Sequence, residues 1–208
     1  MNGSGVMDDL LQSVLPNVER LTALQRFACD LRSVDRFKPV YSTFAYSAGW
    51  EVKATRLDAI LENFWRTANP RSVEADEIRS LIPDADTVPG LYVGTAQLLL
   101  FQLEFARDAA ASGTSDAARA ALLSSFETPY MYAQEREQDD SPIQITQFGS
   151  RKFADDSQRW LIEVRREVDT RRADIADLAL HDVTSANFAS FRVPSSKDRL
   201  HATPSPRP

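Results

Sequence analysis

The chain has 208 residues, of which 43% are hydrophobic and 26% charged. This is the usual composition of a soluble globular protein and argues against wholesale disorder or an integral membrane protein. One cysteine excludes a disulfide framework and a cysteine-based zinc cluster, and two histidines leave little for a histidine metal site. Seven glycines are too few for a typical turn-rich β-sandwich.

The negative charge is concentrated in the body of the chain. The formal net charge is -6, but residues 1–183 contain 20 basic and 29 acidic residues, a net charge of -9. An acidic body repels phosphate backbones, so the charge disfavours a nucleic-acid partner. The acidic charge suits a basic protein partner, but solubility alone would also account for it.

The first part of the chain has helical periodicity interrupted by a proline. Pro16 predicts that a short helical turn over Asp8–Leu15 is separate from the next helix. Thr22 and Gln25 have the spacing of a capping box, which predicts a helix start. Cys29 falls away from the apolar stripe of that helix and is predicted to lie outside its core. The stripe consists of Leu21, Leu24, Ala28 and Leu31.

Three further helices are predicted before the middle of the chain. Pro39 stands where a second helix would begin, and Gly49 where it would end. A third helix is predicted over about 52–68 and a fourth over 72–81. The residues 82–86 read as a loop, because proline and aspartate cluster there.

The fifth predicted helix, about 90–112, is apolar almost all round, which is typical of a helix at the centre of a fold. Gly94 inside it would permit close approach by a neighbour. A sixth helix is predicted from Ser115 to about Gln138. Pro129 is expected to kink it or divide it in two.

The last predicted helix covers about 150–181, after a stretch over 142–148 that could be briefly extended. Glu167 and Arg171 form an i,i+4 pair on what is predicted to be its polar side. From Val183 onward the periodicity fails and the segment is rich in serine and proline.

The sequence therefore predicts an all-α, single-domain bundle over 1–182, with about seven helices around the buried helix 90–112. Residues 183–208 are predicted to be a disordered tail.

Several short blocks of this chain, taken in order, resemble the YjaG-like family of bacterial proteins, a domain of unknown function. The resemblance covers about 15–182 and implies an all-helical, single-domain protein with no established reaction and no catalytic residues to carry over. The blocks are Glu19-Arg20-Leu21 with Gln25 and Ala28, Pro39-Val40-Tyr41 with Phe44 and Gly49, Leu57-Asp58-Ala59-Ile60, Ile82-Pro83-Asp84-Ala85-Asp86, and Tyr92 with Ala96.

Two sets of residues are candidates for a site. Gln97, Glu104 and Arg107 lie on the apolar helix, where polar groups need partners. They predict either a structural polar network or a small-molecule pocket in the bundle core. The second set is a run of acidic residues, which predicts a solvated surface, a site for a basic partner or adventitious cation binding. Asp84 and Asp86 have the same three interpretations. The run consists of Glu135, Glu137, Asp139 and Asp140.

Recognisable catalytic motifs are absent. The sequence has no GxGxxG, no GxxxxGK[ST], no HExxH and no paired CxxC, so neither a cofactor nor a metal is predicted. His181, at the end of the last predicted helix, is read as a C-terminal cap. An arginine band on that helix is interspersed with acidic residues, which favours solvated ion pairing over phosphate binding. The band consists of Arg165, Arg166, Arg171 and Arg172.

These observations predict a non-enzymatic protein-binding module of the bacterial cytoplasm. A narrower version is an immunity protein that neutralises a basic toxin by charge complementarity. The alternative is a small-molecule-binding protein or enzyme that uses the core polar set. No secretory signal or membrane span is evident, and the apolar helix surfaces would also allow a homo-oligomer.

Overall fold

The structure, a computed structural model, describes residues 3–88, 90–140 and 157–193. Those residues form seven α-helices and two short 3₁₀ turns, with no strand among them, which confirms the all-α bundle. The 3₁₀ turns are Pro70–Ser72 and Phe188–Phe191. The helices are α1 Gly3–Glu19, α2 Ala23–Ser47, α3 Glu51–Thr67, α4 Ala75–Arg79, α5 Val93–Ser112, α6 Ser115–Asp140 and α7 Ser157–Ala179.

The helices α2 and α5 form the centre of the bundle. Helix α5 packs against α2, α4 and α6, and α2 packs also against α3 and α7. The buried residues of α5 are apolar except for Thr95, Gln102 and Glu104, while Phe101 and Phe105 are half-buried at its edge. The predicted apolar helix is thus central, as its composition indicated.

Helix α2 runs unbroken through Pro39, so the predicted helix boundary there is wrong. The predicted capping box at its start is confirmed, because Thr22 N–H donates to Gln25 Oε1 at 2.7 Å and Gln25 N–H donates to Thr22 Oγ1 at 3.2 Å. Both halves of α2 bury side chains in the same core, from Phe27 to Ala45. That packing outweighs the hydrogen bond that the proline removes.

The same holds for two other prolines. Pro16 lies inside α1 rather than ending it, and Pro129 lies inside α6 without dividing it. Helix α1 contacts α6 and α7, and α6 contacts α5 and α7. Each helix also buries side chains on both sides of its proline, Val14 and Val18 in α1 and Phe126 and Tyr132 in α6.

The predicted tail is partly wrong, because residues 183–193 are an ordered part of the bundle. Phe188 has no solvent exposure and lies between Phe27 and Trp65, with ring centroids at 5.8 and 5.2 Å. Val183 is buried as well. The folded domain therefore extends to residue 193. The rest of the predicted tail, 194–208, lies outside the described residues, as do 142–148 and the start of the predicted last helix.

Candidate functional site

The polar interior of this protein lies between α2 and α7. Arg171 is fully buried, and its guanidinium donates to Asp30 Oδ1 at 2.5 Å and to the Cys29 carbonyl at 2.7 Å. Glu167 is also buried and accepts from Ser33 Oγ at 3.0 Å. The prediction that Glu167 and Arg171 lie on the solvent side of this helix, and that Arg171 belongs to a solvated band, is therefore wrong.

Two further arginines of α2 complete this network. Arg32 donates to Asp174 at 3.1 Å and to Asp177 at 2.9 Å. Arg36 pairs with Glu167 and, at 2.7 Å, with Asp174. The network thus contains about as many buried arginines as buried carboxylates. Charges that are removed from water need such oppositely charged partners. We interpret the network as the structural seam between the two helices.

Cys29 is buried at this seam, against the prediction that it lies outside the core. Burial is the largest influence on the thiol and raises its pKa to about 12. The thiol therefore stays protonated and unreactive at physiological pH. Among the described residues, no hydrogen bond joins the Cys29 thiol to a histidine. His181 Nδ1 lies 2.7 Å from the Asp177 carbonyl at the end of α7, as in a C-terminal cap.

The structure does not bring the predicted core polar set together. Glu104 is buried and pairs with Arg79 at 2.5 Å, whereas Arg107 donates to the Val73 carbonyl at 3.1 Å. Gln97 is only half-buried. None of the three residues lines the cleft on the outer face of α7 or the cleft between α7 and the α1–α2 junction.

The acidic run has a different role from the one that sequence suggested. Glu135 is buried, and its carboxylate accepts from the N–H groups of Gly94 and Thr95 at 2.7 and 3.0 Å, at the start of α5. A Cβ on Gly94 would lie 3.0 Å from Glu135 Oε1, so the predicted close approach at this glycine is confirmed. The solvated placement of Glu135 is wrong. Glu137, Asp139 and Asp140 belong to α6, but their side chains lie outside the described part of the structure.

An apolar surface stands exposed at the turn between α2 and α3. Val52 is 84% exposed and Tyr46 is 61% exposed, and both are large hydrophobic side chains. Trp50 lies between them in sequence and packs edge-on against Phe44 at 5.7 Å. We call Tyr46, Trp50 and Val52, together with the acidic residues described next, the α2–α3 surface.

The loop that precedes α5 carries two acidic residues and contacts α2 near its end. The Leu81 carbonyl accepts from Tyr41 Oη at 3.2 Å, and a Cβ on Gly90 would lie 3.3 Å from Phe44. Tyr41 and Phe44 are one turn apart near the end of α2. The loop that begins at Leu81 and ends at Gly90 therefore crosses that end of the bundle. It carries the exposed Asp84 and Asp86.

One further carboxylate and one ammonium complete the α2–α3 surface. Glu51 is exposed at the start of α3, and Lys53 Nζ lies 3.4 Å from the centre of the Trp50 ring. Within the described ranges, none of Glu51, Asp84 and Asp86 has an ion-pair partner. The surface therefore presents exposed apolar side chains with three uncompensated carboxylates and one lysine.

The sequence contained a signal for this surface that the prediction did not use. The apolar stripe of α3 runs through Leu57, Leu61 and Phe64, and at 100° per residue Val52 falls far from it. A large apolar side chain off the stripe, next to a glycine turn that carries aromatic residues, indicates an exposed apolar position.

Comparison with known proteins gives no relative: no family model, no curated protein and no solved structure matches the chain. Among the residues that the structure describes, no helix is both long and apolar enough to span a membrane. Within the same residues, no three histidine, cysteine or carboxylate side chains are grouped as ligands of a metal ion.

Proposed function

We propose that this protein is a non-enzymatic binding module for a basic protein, and that the partner docks on the α2–α3 surface. The observation that carries the proposal is the exposure of Val52 and Tyr46 at an end of the bundle that also carries three exposed carboxylates without ion-pair partners in the described ranges. Interface centres are apolar and aromatic, and their rims are polar. A partner with apolar side chains flanked by lysine or arginine is complementary to both parts.

The charge of the whole molecule supports the same partner. Residues 1–193 contain 21 basic and 29 acidic residues, a net charge of -8. Such a field accelerates the approach of a cationic protein and repels polyanions. The buried thiol, the buried charged seam and the scattered core polar set supply no arrangement of nucleophile and base that would favour an enzyme instead.

A narrower form of the proposal is that the partner is a basic toxin and that this chain is a cytoplasmic immunity protein of the YjaG-like family. The support is the acidic charge, the resemblance along 15–182 and the absence of a spanning helix from the described residues. Its test is growth of cells that make the partner with and without this protein. Rescue by the wild type and not by a Val52→Asp variant is expected.

The docking surface itself is tested by photo-crosslinking in the cells that produce the protein. A photoreactive amino acid replaces Val52 in one variant and Ile162, which is 56% exposed on α7, in the control. The expected result is an adduct at position 52 and not at 162, with a protein whose isoelectric point is basic. No adduct at 52, the same adducts at both positions, or an acidic partner would each overturn the proposal.

A further inference from the structure

A cleft of about 380 Å³ lies between α7 and the junction of α1 with α2. Its apolar wall consists of Leu21 from the junction and Ile175, Ala176 and Ala179 from α7. Ala176 and Ala179 are small and line the α7 side of the cleft. A volume of this size lies in the range of small-molecule sites and is too small for a protein interface.

The inner end of the cleft is fixed by Gln25, which is 8% exposed. Its Nε2 donates to the carbonyls of Leu178 and His181 at 2.8 and 3.0 Å, and its Oε1 accepts from Thr22 N–H. These bonds join the first turn of α2 to the last turn of α7. The two walls of the cleft therefore keep their separation without a ligand.

The charge at the mouth of the cleft is positive, which is unusual in an acidic protein. Arg20 is exposed and has no ion-pair partner within the described ranges. Arg172 is held at the rim by Asp169 at 3.1 Å and by Ser13 Oγ at 2.8 Å. The described residues that line the cleft include two arginines and no carboxylate. Asn17 adds an exposed amide donor.

We propose that this cleft binds a small amphipathic monocarboxylate, with its alkyl chain on the alanine wall and its carboxylate at Arg20. The guanidinium of Arg20 is free to form a bidentate pair with a carboxylate, whereas the charge of Arg172 is already paired with Asp169. The alkyl chain covers Leu21, Ile175 and the two alanines. This site lies apart from the α2–α3 surface and does not depend on the proposed function.

The test is titration of the ¹⁵N-labelled full chain with octanoate, followed by amide chemical shifts. Saturable shifts are expected at Leu21, Ala176 and Ala179, with weaker binding of acetate, which lacks the chain, and of octylammonium, which has the opposite charge. An Arg20→Gln substitution should weaken octanoate binding at least about tenfold, since it removes a charge-assisted bidentate pair. The matched control, Arg119→Gln, is an exposed arginine outside the cleft and should bind as the wild type does.

A second pair of variants tests the cavity rather than the charge. Ala179→Leu should fill the cleft and abolish the octanoate shifts, whereas Ala173→Leu, at an exposed position of α7 outside this cleft, should not. Unchanged thermal unfolding shows that each variant keeps the fold. Absence of saturable binding to the wild type, equal binding of octylammonium, or binding that survives Ala179→Leu would overturn the proposal.

Discussion

Arg171 is the residue on which the interior of this protein depends most. It has no solvent exposure, and its charge is compensated by Asp30 and by the Cys29 carbonyl. The pair need not contribute net stability over an apolar pair of the same shape, since desolvation offsets the attraction. Removing one member alone is different, because it leaves the other charge buried and uncompensated.

An Arg171→Met substitution should therefore lower the free energy of unfolding by about 3–5 kcal/mol. Urea denaturation measures the change. The neighbouring Arg172 is about half exposed and pairs only at the surface, so Arg172→Met should cost at most about 1 kcal/mol. Equal losses in the two variants would contradict the assignment of Arg171 to the core.

The thiol of Cys29 gives a second test at the residue scale. Burial raises its pKa to about 12, so at pH 8 the group is a protonated thiol in the folded state. We expect no reaction with a disulfide reagent such as DTNB at pH 8 until the protein unfolds, and reaction of one thiol per chain in urea. Fast labelling of the folded protein at pH 8 would show that Cys29 is accessible.

At the scale of elements, each proline inside a helix destabilises that helix, and the packing of the helix in the bundle offsets the loss. Pro39 cannot donate to the Asp35 carbonyl, and proline in a helix interior is about 3 kcal/mol less favourable than alanine. Pro39→Ala should raise the free energy of unfolding by up to about 3 kcal/mol. Pro70, at the start of a 3₁₀ turn, has no such bond to restore, so Pro70→Ala should give no gain.

The segment that follows α7 gives the second test at this scale. A protein truncated after Val193 keeps every described contact of the bundle and serves as the reference. Truncation after Asp182 removes Phe188 from between Phe27 and Trp65, and Phe188→Ala alone should cost about 3–5 kcal/mol. Equal stability of the two truncated proteins would show that residues 183–193 are not part of the domain.

Helical periodicity predicted most of the elements, and it was wrong where tertiary packing decided the outcome. The central helix followed from its composition, whereas Pro39 and Pro129 suggested boundaries because local rules do not count the core contacts on both sides. The 183–193 segment has no periodicity to detect, since it is held by contacts with residues far away in sequence, among them the packing of Phe188 and the pairing of Arg192 with Asp35.

The spacing of residues in α7 indicates the charged seam, although the charge of its residues favours a place on the surface. The positions 164, 168, 171, 175 and 178 alternate in steps of four and three, which is the spacing of a core-facing helix stripe. Arg171 occupies the middle of that stripe and was assigned to the surface because of its charge. Its partner Asp30 could not be predicted, because no local pattern joins α2 to α7.

At the scale of the whole molecule, the charged groups of the seam, of the cleft and of the α2–α3 surface lie in different regions. The buried arginines of the seam, Arg32 and Arg171, pair with carboxylates across α2 and α7, and the cleft at the α1–α2 junction is lined by two arginines. The carboxylates of the α2–α3 surface are left without ion-pair partners within the described ranges. The end of the bundle that carries the α2–α3 surface is therefore suited to a cationic partner. Because salt screens this attraction, the affinity should decrease as the salt concentration rises.

The dissociation constant of the protein crosslinked at position 52, measured against purified variants, tests the central claim most directly. A carboxylate at the centre of an apolar contact is costly, so Val52→Asp should weaken binding at least about tenfold. The control, Ile162→Asp on α7, should leave the constant within about twofold of the wild type. A constant that is unchanged in Val52→Asp, or changed equally in both variants, would contradict docking on the α2–α3 surface.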